Sequence, residues 1–197
     1  MHAVGTQILI PLKHLEVAKQ RLHPEIGAEG RRSMMLSVLA HVAGKALAAD
    51  VGPVALATSE PQAPSLAAEL GVGLVDDGGL PWNDGLVHAL RLLPAVPEAV
   101  VYLAGDLPLL TAGEVRAMAE AVTGGGASIG RAHDGGTNAL GLRPADALVP
   151  AFGSPQSARV HARLAERAGL DVVVVDLPGI ALDVDTPADA ERARLSA

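Results

Sequence analysis

The feature that most constrains this chain is an alternation of short apolar runs of strand length with longer segments of helical period. That pattern is the one made by βαβ units on a mainly parallel sheet. Gln7 to Leu12, Val54 to Thr58, Val72 to Val75, Val100 to Ala104 and Val172 to Asp176 read as strands. Between them, Arg31 to Ala49 carries Met35, Leu39, Val42 and Ala46 at helical spacing, and Pro61 to Leu70, Gly85 to Leu93 and Ala112 to Val122 read as further helices. Thr111 followed three residues later by Glu114 has the form of a capping box.

The last third departs from the simple alternation. Ala127 to Arg131 and Asn138 to Leu142 are strand-like runs flanking Asp134-Gly135-Gly136, a hairpin turn signal. A helix from about Ser157 to Ala168, the Val172 strand, an extended run Ile180 to Asp185 and a last helix opening at Thr186-Pro187 complete the chain. No repeat, linker or low-complexity segment interrupts the 197 residues, so one domain over residues 1–197 is expected.

Composition limits the function. A formal charge of −7 and only three aromatic residues, Trp82, Tyr102 and Phe152, leave little with which to bind a nucleic acid backbone or stack its bases. The absence of cysteine removes thiol catalysis, disulfides and zinc-thiolate sites. The N-terminal residues lack the basic start and longer apolar core of a signal peptide, and no apolar stretch reaches the roughly 18 to 20 residues that span a bilayer. A soluble cytoplasmic protein with small-molecule partners, no nucleic acid and no membrane is expected, with a homodimer left open.

Four constellations carry chemistry. The first is Val100-Val101-Tyr102-Leu103-Ala104-Gly105-Asp106-Leu107-Pro108, an apolar strand delivering a carboxylate at its carboxyl end. Ligands of open parallel sheets gather there, and such a carboxylate can hold a metal over a phosphate. Asp106 alternatively only shapes the turn before Pro108. No G-x-x-x-x-G-K-[ST] accompanies this strand, so P-loop chemistry is excluded.

The second is Leu182-Asp183-Val184-Asp185-Thr186-Pro187. On an extended strand Asp183 and Asp185 would point to one face and repel each other unless a divalent cation, suited to hard oxygen ligands, lay between them. Asp185 or Thr186 alternatively caps the following helix. The third is the basic run after the first strand, with Lys13, Lys19 and Arg21, which either neutralises a triphosphate or forms a solvated face.

The fourth pairs Asp134-Gly135-Gly136-Thr137-Asn138 with Phe152-Gly153-Ser154-Pro155-Gln156-Ser157 through His161. Glycines let backbone N–H groups approach an anion, and Ser157 near a helix start adds a hydroxyl. The seven histidines have no metal-ligand spacing, and among them His161 alone stands out.

The order of these segments resembles the 2-phospho-L-lactate and phosphoenolpyruvate guanylyltransferase family of deazaflavin coenzyme (F-420) biosynthesis, which is similar in fold to molybdenum-cofactor guanylyltransferases and sugar-nucleotide transferases. The matching segments are Ile10-Pro11-Leu12-Lys13 through Lys19-Gln20-Arg21-Leu22, Ala104 to Thr111, Gly135 to Leu140, Phe152 to His161 and Leu182 to Pro187. The resemblance implies a Rossmann-like three-layer α/β nucleotidyltransferase fold, similar to glycosyltransferase A, with a mainly parallel sheet and a hairpin excursion. It implies that Asp106, Asp183 and Asp185 hold Mg2+, two ions by expectation. Lys13, Lys19 and Arg21 would face the phosphates of GTP, Lys19 with a catalytic role, and Asn83 falls where such enzymes carry an asparagine near the nucleotide. Thr137, Gly153 and Ser157 would contact the phosphorylated acid. The family usually has Gly-x-Gly-Ser after the Phe, whereas Gly153-Ser154-Pro155-Gln156-Ser157 is a residue longer, which makes both Ser154 and Ser157 candidates.

The expected reaction moves GMP from GTP to the phosphate of 2-phospholactate, phosphoenolpyruvate or 3-phosphoglycerate with release of pyrophosphate. The alternatives are another nucleotidyltransferase of the same fold, of molybdenum-cofactor or sugar-phosphate type, and a non-catalytic nucleotide-binding module. A phosphatase using the first Asp of Asp183-Val184-Asp185-Thr186 as nucleophile is disfavoured, because that motif normally opens its domain and here only a dozen residues follow it.

Overall fold

The computed structural model describes residues 5–13 and 23–184, with the side chains of 23–26 left aside. Lys19, Arg21, Asp185 and the helix expected from Thr186 lie outside the described residues.

Among the described residues seven strands make one sheet: β1 (Thr6–Pro11), β2 (Val54–Ala57), β3 (Gly73–Val75), β4 (Ala99–Leu103), β5 (Gly126–Arg131), β6 (Thr137–Arg143) and β7 (Val172–Val175). They lie in the order β3-β2-β1-β4-β6-β5-β7. Every neighbouring pair is parallel except β4 with β6 and β5 with β6. β6 is the return arm of the hairpin that Asp134-Gly135-Gly136 turns. Gly135 has φ 92°, and a Cβ there would come 2.5 Å from the Pro155 carbonyl oxygen, so only glycine lets the turn press against that loop. Because β6 runs backwards, its first residues lie beside the carboxyl end of β4, where the Ala104 N–H donates to the Asn138 carbonyl at 2.8 Å.

Among the described residues six helices cover the sheet: α1 (His23–Ala49), α2 (Ala63–Leu70), α3 (Trp82–Leu92), α4 (Ala112–Glu120), α5 (Ser157–Arg167) and α6 (Pro178–Ala181). Side chains of a strand alternate between faces, and here both faces are apolar. Ile8, Ile10, Val54, Leu56, Val101 and Leu103 enter a core with Val38, Leu39 and Val42 of α1, Val115 and Met118 of α4 and Ile180 of α6. Their neighbours Leu9, Ala55, Ala57, Val100 and Tyr102 face the opposite way, onto Leu86, Ala89 and Leu90 of α3 and Ala158 and Ala165 of α5. The result is a three-layer α/β sandwich. Each large aliphatic side chain so buried contributes about 1.5–3 kcal/mol.

The expected strands and helices that fall among the described residues are present, apart from the run after α5 and β7 corrected below, with ends moved by a few residues, and α1 starts earlier, at His23, with a break at Gly27 (φ 68°, ψ 179°). One reading is corrected. The run expected to be extended from Ile180 to Asp185 is not a strand over its described part, Ile180 to Val184: Pro178 opens the short helix α6, and Leu182 to Val184 follow as irregular chain. The alternation of Ile180, Leu182 and Val184 imitates a strand, but Pro at the first helical position and the capture of the Gly179 N–H by the buried Glu114 carboxylate at 2.7 Å start a helical turn instead. Glu114 also accepts from Thr111 N at 2.8 Å and completes the capping box of α4, so one carboxylate ties the start of α4 to the start of α6.

Candidate active site

The chain runs from β1 outward to β2 and β3, then returns to β4 on the other side of β1. The carboxyl ends of β1 and β4 therefore flank the point where strand order reverses, the usual crevice of an open α/β sheet. Lys13 follows β1 and Asp106 follows β4. Gly105 keeps the two ends close, since a Cβ on it would lie 3.1 Å from Leu39 Cδ1 and 3.4 Å from Ile10 Cγ2.

The segment that carries Asp183 reaches the turn that carries Asp106 at this crevice. The Val184 N–H donates to the Asp106 carbonyl at 3.2 Å, which hooks the chain after α6 onto the turn after β4. Asn138, at the entry of β6, fills the remaining side: its Nδ2 donates to Asp183 Oδ1 at 3.2 Å and to the Ile180 carbonyl at 2.8 Å. The donor atoms gathered here are carboxylate and carbonyl oxygens, the set that suits Mg2+ or Mn2+. That set fits a divalent cation held by Asp106 and Asp183. Among the described residues no group of three carboxylates or imidazoles surrounds one point, and Asp185, the third expected ligand, is outside them. Asn138 was quoted in the sequence only as part of a motif. Its role depends on a partner 45 residues away, and no local pattern announces it.

A second corner lies on the other side of β6. Thr137 and Ser157, both buried, join through a 3.2 Å hydroxyl contact, and Thr137 Oγ1 lies 2.9 Å from His161 Nδ1. His161 Nε2 accepts from the Ala151 N–H at 2.8 Å. Between the two candidate serines the geometry discriminates. Ser157 Oγ points into this cluster, whereas exposed Ser154 turns its Oγ to the Gln156 N–H at 3.3 Å. Gly153 is exposed with φ 100°, so the loop turns there in a conformation that disfavours any side chain.

The first turn of α3 closes the ring of residues. Lys13 Nζ sits 4.6 Å above the centre of the Trp82 ring, a cation–π contact that holds an exposed lysine at the crevice. Asn83 uses its side-chain amide on the loop: Oδ1 accepts from the Phe152 N–H at 2.9 Å and Nδ2 donates to the Phe152 carbonyl at 3.2 Å. Its side chain thus anchors Phe152 and Gly153. Trp82 figured in the sequence only as one of three aromatic residues.

The comparisons with known proteins agree with this architecture. Residues 6–193 match the family described as "Guanylyl transferase CofC like". The chain belongs to the CofC-like guanylyltransferase family. A CofC-like relative, the phosphoenolpyruvate guanylyltransferase of Sphaerobacter thermophilus, is 35% identical over 190 residues, covering 95% of this chain and 91% of its own. Among solved structures, a nucleotidyl transferase from Methanothermobacter thermautotrophicus superposes with a TM-score of 0.67 at 17% identity, over 96% of both chains. A Mycobacterium tuberculosis protein solved in complex with manganese gives 0.56 at 19% identity, over 98% of this chain and 99% of that one. The CofC-like chain is thus a nucleotidyl-transfer enzyme with a nucleotidyltransferase fold. No helix among its described residues is long and apolar enough to cross a membrane.

Proposed function

We propose that this guanylyltransferase moves GMP from GTP to the phosphate of a small phosphorylated carboxylic acid, phosphoenolpyruvate before 2-phospholactate or 3-phosphoglycerate, as a step in making a deazaflavin coenzyme. The observation that carries the reading is the junction at the entry of β6, where Asn138 joins Asp183 to the turn after β4 while the adjacent Thr137 holds the Ser157 hydroxyl. One strand entry thus presents a carboxylate corner on one face and a hydroxyl corner on the other. The name of the Sphaerobacter relative supports phosphoenolpyruvate as acceptor.

In the proposed reaction an acceptor phosphate oxygen attacks the α-phosphorus of GTP. The new P–O bond forms as the bond to the β-phosphate oxygen breaks, and pyrophosphate leaves with that electron pair. The acceptor phosphate, with a second pKa of about 6, is already mostly dianionic at neutral pH, so no general base is needed. Asp106, Asp183 and Asp185 are the residues that would hold magnesium, two ions by the family resemblance, which when bound would neutralise charge on the transferring phosphoryl group. Lys13, and by the family resemblance Lys19 and Arg21, would supply cations to the triphosphate, with Lys19 given the phosphate contact nearest the chemistry. Asn83 holds the Phe152–Gly153 loop beside the nucleotide side, and Thr137 with Ser157 receives the acid.

A pyrophosphate-release assay with magnesium, each nucleoside triphosphate and each of the three acids tests this. Release with GTP and phosphoenolpyruvate is the expected result; equal rates with ATP, or release that needs no acid, would overturn it.

A further inference from the structure

His161, on the first turns of α5, is completely buried, and both ring nitrogens are engaged. A backbone N–H can only donate, so Nε2 facing Ala151 N must be the accepting nitrogen. Burial lowers the pKa of the ring to about 4, which keeps it neutral at physiological pH. A neutral imidazole that accepts at Nε2 carries its proton on Nδ1, and that N–H donates to Thr137 Oγ1 at 2.9 Å. The Phe152 ring, edge-on to the imidazole at 4.9 Å between centres, packs against it and helps hold its orientation.

Thr137 and Ser157 bring two hydroxyl protons, and whichever of the pair donates, their mutual contact consumes one. The second is left over, since Thr137 Oγ1 is already accepting from the ring and neither hydroxyl makes another hydrogen bond among the described residues. With the opposite tautomer, Thr137 would donate to Nδ1, Ser157 would donate to Thr137, and no donor would remain. The imidazole therefore decides whether this corner offers a proton.

We infer that His161 is a positioning residue which, through Nδ1–H, makes the Thr137–Ser157 pair a hydrogen-bond donor to an anionic oxygen of the acceptor substrate. The inference rests on the acid-acceptor reading above and adds to it the group that sets the polarity of the pocket. A buried donor left without a partner costs free energy, and a carboxylate or phosphate oxygen placed at the mouth of the pair supplies that partner.

The test uses three variants and one spectrum. In His161→Gln the side chain keeps an amide near Nε2 but has no donor at the Nδ1 position, whereas in His161→Asn the Nδ2 group stands near Nδ1 and keeps that donor. His161→Gln and Thr137→Val should each raise the KM for phosphoenolpyruvate roughly ten-fold while KM for GTP stays within about two-fold, and His161→Asn should recover most of the loss. Equal acid KM values for the Gln and Asn variants, both folded by thermal melting, would overturn the role assigned to Nδ1–H. In the wild type, nitrogen-15 correlation spectra of the histidine ring should show the proton on Nδ1; a proton on Nε2 would overturn the inference whatever the kinetics. A wild type that releases no pyrophosphate with any acid defeats the functional reading and removes the proposed ligand, while the ring tautomer is decided independently of turnover.

Discussion

The two corners at the entry of β6 are built from adjacent residues yet obey different electrostatics. Asn138 faces α6 and a corner of half-exposed carboxylates, the one proposed above to hold a divalent cation. Thr137 faces α5 and a buried set of neutral groups, two hydroxyls and an imidazole, whose hydrogen bonds are directed rather than charged. On the function proposed above, one strand would serve two anionic substrates at once, because successive side chains of a strand point to opposite faces. The charged corner should respond to metal concentration, and the neutral corner to the identity of the acid.

The predictions test that division, beginning with the largest effect. Asp106→Asn and Asp183→Asn should each lower kcat by about 10³-fold or more with the fold retained by circular dichroism, since one ligand charge is lost with shape preserved. The double variant should lose little beyond either single change, because the two act as a unit. Fully additive losses would separate the two carboxylates and dissolve the charged corner.

Asn138→Ala removes the amide that orients Asp183 and should raise the magnesium concentration needed for half-maximal rate by roughly 10- to 100-fold. The acid KM should change far less, and a variant that moves the acid KM instead would join the two corners into one.

Acidification probes the neutral corner through stability. The folded-state pKa of His161, about 4, lies below the ordinary 6.5 because burial disfavours the charged ring. The unfolded chain therefore binds the extra proton first, and the stabilisation present above pH 6.5 is lost as pH falls toward 4, by about 3 kcal/mol at most. Urea midpoints measured across that range should fall less steeply for His161→Asn than for the wild type. Identical slopes would mean that the ring titrates as an ordinary histidine.

The smallest effect is expected outside both corners. Lys13→Ala gives up a cation–π contact with Trp82 worth about 0.5–1 kcal/mol at an exposed site, together with a share of phosphate attraction, and should raise KM for GTP a few-fold with the acid KM unchanged. Unchanged kinetics at limiting GTP would make the lysine part of a solvated face.

Where local chemistry decides, the sequence was sufficient. The apolar runs of β1, β2 and β4 required cover on both faces, Asp134-Gly135-Gly136 required a tight turn, and Thr111 with Glu114 required a capped helix. Asp106 at the carboxyl end of an apolar strand marked the crevice, because strand ends collect ligands whatever the rest of the chain does. The sequence misled at Ile180 to Asp185, where an alternating pattern was outweighed by Pro178 and by the distant Glu114. Only the tertiary structure decided that Asn138 meets Asp183, that Ser157 rather than Ser154 joins Thr137, and that His161 orders the pair. Those contacts join residues 20 to 45 positions apart, and they exist because β6 returns antiparallel between β4 and β5 while α5 packs on the neighbouring β5. A side chain's own neighbours in sequence carry no trace of such a partner, since its distance is set by the packing of the whole sheet.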